Sequence, residues 1–285
     1  MPAADRSNHL VSTEWLADHL EAPDVVVVDA SWYLPTMERD GAAEYRAAHI
    51  PGAVHFDLDA VKDESNPLPH MLPSPEVFSS AVRRLGIGDG MRIVVYDGLG
   101  LFAAPRVWWT FRIFGARDVV ILDGGLPKWK AEGRPLTDEP TRRQPAHFTA
   151  RFDHGMVRDL EDVRRALAAG SHQVVDARPA ARFAGEAPEP RPGLRSGHMP
   201  GALNVPYANL VADGRLAEPA AIAAAFSAGG VDLDRPVVTT CGSGVSAAVL
   251  WLALETLGHN RLGLYDGSWS EWGGHPETEV VTGPA

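Results

Sequence analysis

The sequence has 285 residues and only one cysteine, Cys241, and it is also poor in basic residues. A single cysteine excludes an intrachain disulfide, and it excludes zinc or iron–sulfur sites that are built from several cysteines. The 26 Lys and Arg residues are outnumbered by 37 Asp and Glu, which gives a formal net charge of −11. Such an acidic chain is not expected to bind nucleic acid or an anionic membrane, and an anionic ligand would have to be met by particular arginines.

Long apolar segments are also missing. No apolar run approaches the roughly 18 to 20 residues that a transmembrane helix needs. The stretch MPAADRSNHLVSTEWLADHLEAPD does not place an apolar core after a basic segment, so a secretory signal is not expected. With a thiol that is expected to stay reduced, these features favour a cytoplasmic location. The content of 45% hydrophobic and 22% charged residues is that of a globular protein, and the length suits about two domains.

The two halves of the chain repeat one order of short motifs. Each half carries a Val-rich run, an HxPGA turn, a second Val-rich run and a segment containing Asp-Gly and Trp. In order, these are VVVVDA and VVDA, HIPGAVHFDL and HMPGALNVPY, RIVVYDG and PVVTTCG, and VVILDGGLPKW and LGLYDGSWSEW. A repeat of this length indicates two copies of one structural unit.

Amphipathic segments alternate with these short runs, as in EVFSSAVRRLG (76–86) and AAVLWLALETLG (247–258). Such alternation is typical of parallel strands buried on both faces and joined by crossover helices. The sequence therefore predicts an α/β protein with two domains of the same fold, each a parallel sheet flanked by helices. We place the first domain at 1–140, a linker at 141–155 and the second domain at 156–285.

The repeat aligns Cys241 of the second half with Asp97 of the first half. Only one copy has a nucleophile at this position. A cysteine that merely fills the core would be matched by a small apolar residue more readily than by a carboxylate. The position is therefore expected to face solvent in both copies.

The chemistry of Cys241 is suggested by its surroundings, a predicted strand, the loop CGSGVS and a predicted helix. Such a loop directs several backbone N–H groups at one point near a helix N-terminus, where negative charge is favoured. It would stabilise a thiolate or a persulfide anion without a metal or an organic cofactor. Cysteine phosphatases place an arginine six positions after the cysteine, but this chain has Ala247 there and no cation in the loop. Sulfur transfer is therefore favoured over phosphate transfer.

These features resemble the tandem rhodanese-domain sulfurtransferases. Members of that family carry a catalytic cysteine in the second domain, an aspartate in an inactive first copy and an HxPGA turn in both, and the resemblance runs from Trp15 to Trp272. Loops of the form CGSGV[ST]A belong to its 3-mercaptopyruvate sulfurtransferases, whereas thiosulfate sulfurtransferases resemble CRKGVTA. The sequence CGSGVSA matches the first form.

The resemblance also implies a substrate-binding set. The family's two substrate-binding arginines lie in a stretch of the form RFxGxxPEPR, which is RFAGEAPEPR in this chain and maps them to Arg182 and Arg191. Guanidinium groups suit the carboxylate of mercaptopyruvate. Gly242, Gly244 and Val245 are expected to line the substrate site from the loop.

A proton relay is implied as well. In the 3-mercaptopyruvate sulfurtransferases an Asp and a His eleven residues apart act with the loop serine, which selects Asp59, His70 and Ser243. The aspartate would orient the imidazole, and the histidine and serine would pass a proton to or from the substrate and Cys241.

Three functions remain open on these residues. The first is sulfur transfer from 3-mercaptopyruvate through a Cys241 persulfide to a thiol, such as that of thioredoxin, or to cyanide, with release of pyruvate. The second is a thiosulfate:cyanide sulfurtransferase, which normally has a cationic loop. The third is a non-catalytic sulfur carrier or binding module, which would not need Arg182, Arg191, His70 and Ser243 together.

Overall fold

Two five-stranded parallel sheets form the framework of the protein in a computed structural model that describes residues 6–285. The first sheet has the strand order β1-β5-β4-β2-β3. Its strands are β1 (Leu10–Val11), β2 (Val25–Asp29), β3 (Val54–His55), β4 (Arg92–Tyr96) and β5 (Val119–Leu122). All pairs in it are parallel, with Val26 beside Ile93 in the central pair.

The second sheet repeats this topology, with the order β6-β12-β11-β7-β8 and parallel pairs throughout. Its strands are β6 (Val157–Arg158), β7 (Gln173–Asp176), β8 (Leu203–Asn204), β11 (Val237–Thr240) and β12 (Leu262–Tyr265). A short antiparallel hairpin, β9 (Val211–Ala212) with β10 (Arg215–Leu216), lies between β8 and β11 in sequence. The expected pair of α/β domains with one fold is confirmed.

Helices flank both sheets. Those of the first domain are α1 (Thr13–His19), α2 (Gly41–Ala47), α3 (Pro75–Arg84), α4 (Ala104–Ile113) and α5 (Gly125–Ala131). Those of the second are α6 (Leu160–Ala169), α7 (Ala180–Phe183), α8 (Pro219–Ala228), α9 (Ala247–Thr256) and α10 (Ser268–Trp272). Short 3-10 helices occur at Arg6–Asn8, Pro35–Met37, His154–Met156 and Tyr207–Leu210. Within residues 6–285, no helix has both the length and the apolar character needed to cross a membrane.

Local sequence explains several of these elements. The inner strands β2 and β11 are buried along their whole length, which accounts for their Val- and Thr-rich sequences. Helix α3 begins after Ser74, whose side chain accepts a hydrogen bond from the Val77 N–H, and it has Pro75 in its first turn. Asp159 and Asp162 form a capping box at the start of α6.

The two domains share one continuous hydrophobic core. Helix α4 of the first domain packs against α9 of the second, with the rings of Trp109 and Trp251 edge to face at 6.1 Å. Arg112 on α4 forms an ion pair with Glu255 on α9. This contact brings the loops that precede α4 and α9 into the same cleft.

In addition, one segment of each domain contacts a loop of the other domain. The tip of the β9–β10 hairpin lies so close to the first domain that a Cβ on Gly100 would be 2.6 Å from the Gly214 carbonyl oxygen. In return, the segment of the first domain that leads into α3 reaches the second, where the Leu72 N–H donates to Asp266 at 2.8 Å. The two copies are therefore interlocked, at the loop before α4 and at the end of β12.

The segment between the two sheets, from the end of α5 to the start of β6, lies along the first domain. Phe148 is buried there against Phe78, with ring centroids 5.6 Å apart, and its carbonyl accepts from the Ser79 hydroxyl. The boundaries at residues 140 and 156 stay a prediction.

Candidate active site

Cys241 lies directly after β11, at the carboxyl edge of the second sheet, and is 2% exposed. Its backbone is fixed by its neighbours, because its carbonyl accepts from the Trp269 N–H at 2.9 Å and its N–H donates to Ser268 Oγ at 3.3 Å. The thiol therefore has a defined position at the start of the loop that runs into α9.

The loop after Cys241 is held equally firmly. The Gly242 carbonyl accepts from both the N–H and the hydroxyl of Ser270, at 2.9 and 2.7 Å. Gly244 has φ +76°, and a Cβ there would lie 2.7 Å from Nη1 of Arg106, so both its backbone and its surroundings require glycine. Val245 is buried and packs into the shared core.

The equivalent loop in the first domain is filled by its own side chain. The Asp97 carboxylate accepts hydrogen bonds at 2.8 Å from the N–H groups of Leu99, Phe102, Ala103 and Ala104. Asp97 is 1% exposed, so the expectation that this position faces solvent is wrong for both copies. The reason is that the side chain turns into the ring of N–H groups, where a buried anion is stabilised. Burial raises the pKa of Asp97, and the N–H donors oppose this effect.

Arg182 is positioned beside the catalytic loop. A Cβ built on Gly242 would lie 3.2 Å from Nη2 of Arg182. The guanidinium is paired with the buried carboxylate of Glu189, which also accepts from Arg178 Nη1 at 2.7 Å. Glu189 thus fixes the direction in which Arg182 presents its remaining N–H groups to the cleft.

Arg191 contacts His70 across the two domains, with 3.3 Å between Nη2 and Nε2. Because arginine can only donate, Nε2 of the imidazole must be the acceptor, which leaves the ring proton on Nδ1. Burial lowers the pKa of the Arg191 guanidinium, and the negative form of Cys241 opposes this, so the arginine and the sulfur are within electrostatic reach.

The other side of His70 faces Asp59. Nδ1 of His70 lies 3.2 Å from Oδ1 of Asp59, whose Oδ2 accepts from the indole N–H of Trp32 at 2.8 Å. The contact with His70 is the main reason that the pKa of Asp59 is lowered. Burial lowers the pKa of His70, and Asp59 opposes this effect. The imidazole is therefore neutral at neutral pH, with its lone pair on Nε2.

The backbone at His70 has φ +60°, in the left-handed region that a residue with a Cβ rarely adopts. Such strain persists only where the surroundings hold it in place, and it is common at functional sites. The structure thus brings Asp59, His70 and Arg191 into one group, with Arg182 beside the Cys241 loop.

Ser243 is buried in the loop, but the hydrogen bonds found among residues 6–285 do not join it to His70. Its place in the relay stays a prediction, as do the roles of the other residues in the set.

Sequence reasoning missed four residues of the site, which are Trp32, Arg106, Glu189 and Asp266. Glu189 lies inside the RFAGEAPEPR match, between the two arginines, and Asp266 is the repeat equivalent of Asp123. Arg106 is a lone charge in the apolar segment APRVWWTF, a pattern that indicates a buried ionic contact. Nothing in the sequence marks Trp32.

The histidines of the two HxPGA turns have structural contacts. His49 and His198 direct Nδ1 at the backbone carbonyls of Tyr45 and Phe183, and each ring stacks on the ring of that same residue. Among residues 6–285 there is no group of three or more His, Cys, Asp or Glu side chains arranged to hold a metal ion.

Comparison with known proteins agrees with this geometry. The profile of the rhodanese-like domain matches the chain twice, at residues 12–132 and 159–275. The 3-mercaptopyruvate sulfurtransferase of Escherichia coli K12 is 46% identical, over 95% of this chain and 96% of the relative. A rat thiosulfate sulfurtransferase is 43% identical, over 96% of this chain and 95% of the relative.

Solved structures give the same result. The crystal structure of SseA from E. coli, described as a 3-mercaptopyruvate sulfotransferase with the rhodanese fold, superposes with a TM-score of 0.85 at 44% identity. The match covers 92% of this chain and 99% of that structure. With two domain matches and relatives of this identity along nearly the whole chain, the protein belongs to the rhodanese family.

Proposed function

We propose that this protein is a 3-mercaptopyruvate sulfurtransferase that carries sulfur as a persulfide on Cys241. The observation that carries the proposal is the placement of charge around the thiol. The loop CGSGVS is neutral, and the cations stand beside it, at Arg182 next to Gly242 and at Arg191 against His70.

This placement suits 3-mercaptopyruvate, whose carboxylate is separated from its sulfur by two carbon atoms. The carboxylate can bind at the arginines while the sulfur reaches Cys241, because a guanidinium fork matches a carboxylate with two parallel hydrogen bonds. The loop needs no cation for such a donor. The ion pair with Glu189 orients the guanidinium of Arg182. Among residues 6–285 the ion pairs of Glu189 are with Arg178 and Arg182, and not with Arg191.

The transfer has two balanced steps. The Cys241 thiolate attacks the donor sulfur, so that an S–S bond forms, the C–S bond breaks, and the electron pair leaves on carbon as the enolate of pyruvate. The enolate takes a proton and becomes pyruvate. In the second step an acceptor thiolate attacks the outer sulfur of the persulfide and leaves Cys241 as a thiolate.

His70 is the group suited to move the proton. Its Nε2 is the acceptor in the contact with Arg191, and its Nδ1 lies 3.2 Å from the Asp59 carboxylate, which favours the tautomer that carries the proton on Nδ1. Ser243 lies in the loop between Cys241 and Gly244 and is proposed to extend this path to the substrate. The backbone of Gly242, Gly244 and Val245 would shape the site around the outer sulfur.

The second candidate donor is thiosulfate. It is favoured by one observation, the 43% identity with the rat thiosulfate sulfurtransferase, which is close to that of the 3-mercaptopyruvate relatives. Overall identity thus does not separate the two donors, and the neutral loop argues for mercaptopyruvate. A binding module without catalysis is disfavoured, because the His70, Arg191 and Asp59 arrangement has no role in it.

The acceptor is a small thiol, a protein thiol such as that of thioredoxin, or cyanide, and the reaction needs no cofactor. A cytoplasmic location fits a reduced catalytic thiol. The domains are proposed to span residues 1–140 and 156–285, with a linker at 141–155.

The test is steady-state turnover with 3-mercaptopyruvate and thiosulfate side by side, with one acceptor thiol. We expect a higher kcat/KM with mercaptopyruvate, and pyruvate formed in equal amount to the sulfur transferred. A higher kcat/KM with thiosulfate would replace this proposal with the second candidate, and no turnover of either donor would favour the binding module.

A further inference from the structure

The side chain of Arg106 joins the two sides of the catalytic cleft. Arg106 belongs to α4 of the first domain and is 1% exposed. Its Nη2 donates to the His70 carbonyl at 2.7 Å and to Asp266 Oδ1 at 2.6 Å, and its Nη1 lies 3.4 Å from the Gly244 carbonyl. One guanidinium therefore contacts the backbone of the relay histidine, the backbone of the cysteine loop and an aspartate at the end of β12.

Asp266 completes this arrangement around His70. Its second oxygen accepts from the Leu72 N–H at 2.8 Å, so the Arg106–Asp266 pair holds the carbonyl of His70 and the N–H two residues later. This is the turn in which His70 has φ +60°. A left-handed conformation at a residue with a Cβ is strained and needs such external contacts to persist.

Packing alone does not account for Arg106. Helices α4 and α9 are equivalent, both ten residues long, and the third residue of α9 is the buried Val249 where α4 has Arg106. The interface of the two helices is thus compatible with an apolar residue at this position. Nε of Arg106 has no hydrogen-bond partner among residues 6–285, and a buried ion pair commonly stabilises a fold no better than apolar residues would.

We propose that Arg106 is a positioning residue for sulfur transfer, which holds the His70 turn of the first domain at a fixed distance from the Cys241 loop of the second. The expected effects on kcat rest on the proposed function, because they assume turnover of 3-mercaptopyruvate. Without Arg106, the His70 turn would relax from its strained conformation and the imidazole would move relative to the sulfur. Displacements of about 1 Å at a reacting group lower rates by roughly a hundredfold.

The test compares Arg106→Gln and Arg106→Lys with the control Arg112→Gln. Arg112 lies on the same helix and pairs with Glu255 across the domains, but it contacts neither the His70 carbonyl nor Gly244. For Arg106→Gln we expect kcat with 3-mercaptopyruvate to fall by roughly tenfold to a hundredfold, with KM changed by less than about threefold. Arg112→Gln should keep wild-type kcat.

The pH profile separates charge from position. The charged groups around His70 are Asp59, Arg191 and Arg106, together with Asp266, which pairs with Arg106 and accepts from the Leu72 N–H. The positive charge of Arg106 disfavours the imidazolium, so its removal raises the pKa of His70 and moves the acid limb of kcat to higher pH. Arg106→Lys keeps the positive charge, so the acid limb of kcat should stay at its wild-type pH. One ammonium group cannot make the same three contacts, however, so kcat itself should still fall.

Three results would overturn the proposal, and they are wild-type kcat in Arg106→Gln, an equal loss in Arg112→Gln, or full rescue by Arg106→Lys. If Arg106→Gln does not fold, Arg106→Lys carries the test.

A second measurement, ¹⁵N NMR titration of His70 in the wild type and in Arg106→Lys, needs no sulfur donor. It therefore tests this inference separately from the proposed function. We expect loss of the single Nδ1–H tautomer in the variant, and an unchanged tautomer would contradict the proposal even if the wild type fails to use mercaptopyruvate.

Discussion

Nε2 of His70, in the first domain, lies 3.3 Å from Nη2 of Arg191, in the second domain, although 121 residues separate them in the chain. The two groups have different tasks in the proposed reaction, since the imidazole moves a proton and the guanidinium binds a carboxylate. Their contact places the proton acceptor next to the negative end of the bound donor. It also ties the protonation state of His70 to an arginine that substrate would engage.

Cys241→Ser should abolish turnover, because the serine hydroxyl can neither form a persulfide nor be held as an anion at neutral pH. Mass spectrometry of the wild type incubated with 3-mercaptopyruvate alone should show one added sulfur on the peptide that contains Cys241. The variant should show none. Normal turnover by Cys241→Ser would contradict the covalent mechanism.

His70→Gln should lower kcat by roughly a hundredfold to ten-thousandfold, the usual contribution of a general acid or base, while the thermal unfolding temperature changes little. In the wild type, burial lowers the pKa of His70, so the acid limb of kcat should lie below about pH 6.5, the ordinary value for histidine. Measurement of kcat from pH 4.5 to 8 checks both points. A limb above pH 6.5, or wild-type kcat in His70→Gln, would remove the imidazole from the mechanism.

Asp59→Asn should shift the pKa of His70 in the opposite direction to Arg106→Gln. The negative charge of Asp59 favours the imidazolium, so its removal lowers the pKa of His70 further and moves the acid limb to lower pH. The rate at the plateau should also fall, because the amide no longer enforces the Nδ1–H tautomer. The same pH series of kcat measures both effects, and a limb that moves to higher pH would show that Asp59 does not act on His70.

Donor choice should depend on the arginines. A charge-assisted hydrogen bond contributes about 1.5 to 3 kcal/mol, so Arg182→Met or Arg191→Met should lower kcat/KM for mercaptopyruvate by roughly tenfold to a hundredfold. The double change Gly242→Arg with Ser243→Lys should shift preference towards thiosulfate. Because a Cβ at 242 would lie 3.2 Å from Arg182, that guanidinium must move aside for the new side chain. The ratio of kcat/KM for the two donors is the readout, and an unchanged ratio in all of these variants would contradict the role of loop charge.

Asp97→Ala should destabilise the protein without changing its chemistry. The variant leaves four buried N–H groups without their carboxylate, and the expected loss is about 3 kcal/mol in the free energy of unfolding. Urea unfolding measures the loss, and kcat of the folded variant should match the wild type. Asp123→Ala, which removes an ion pair whose partner Arg215 is half-exposed, is the control and should cost less than about 1 kcal/mol.

The fold could be predicted from the sequence because its signals are local and repeated. Val-rich runs bounded by Gly and Asp mark the strands of both domains, and the HxPGA turns set the register between the copies. The second copy confirms each assignment made in the first. The β9–β10 hairpin had no such signal, since the described part of the first domain, from residue 6 onward, has no equivalent of it.

The site was predicted less completely, because its contacts cross the domain interface. The motif RFAGEAPEPR identifies Arg182 and Arg191 as candidates, yet it does not show that Arg191 faces His70. The burial of Asp97 was predicted wrongly, since a charged residue suggests exposure and only the geometry of the loop shows the N–H groups that surround it. Arg106 needed the docked domains before its three contacts could be seen.

The interlocking of the two domains has a consequence for a chain emerging from the ribosome. The first domain is synthesised with its histidine in place but without any thiol, and its own loop is already closed by Asp97. The nucleophile emerges more than a hundred residues later and meets His70 only when the second domain has docked on the first. A chain released before residue 182 therefore lacks the thiol and both candidate arginines, and the group formed by Asp59, His70 and Arg191 needs residues of both domains.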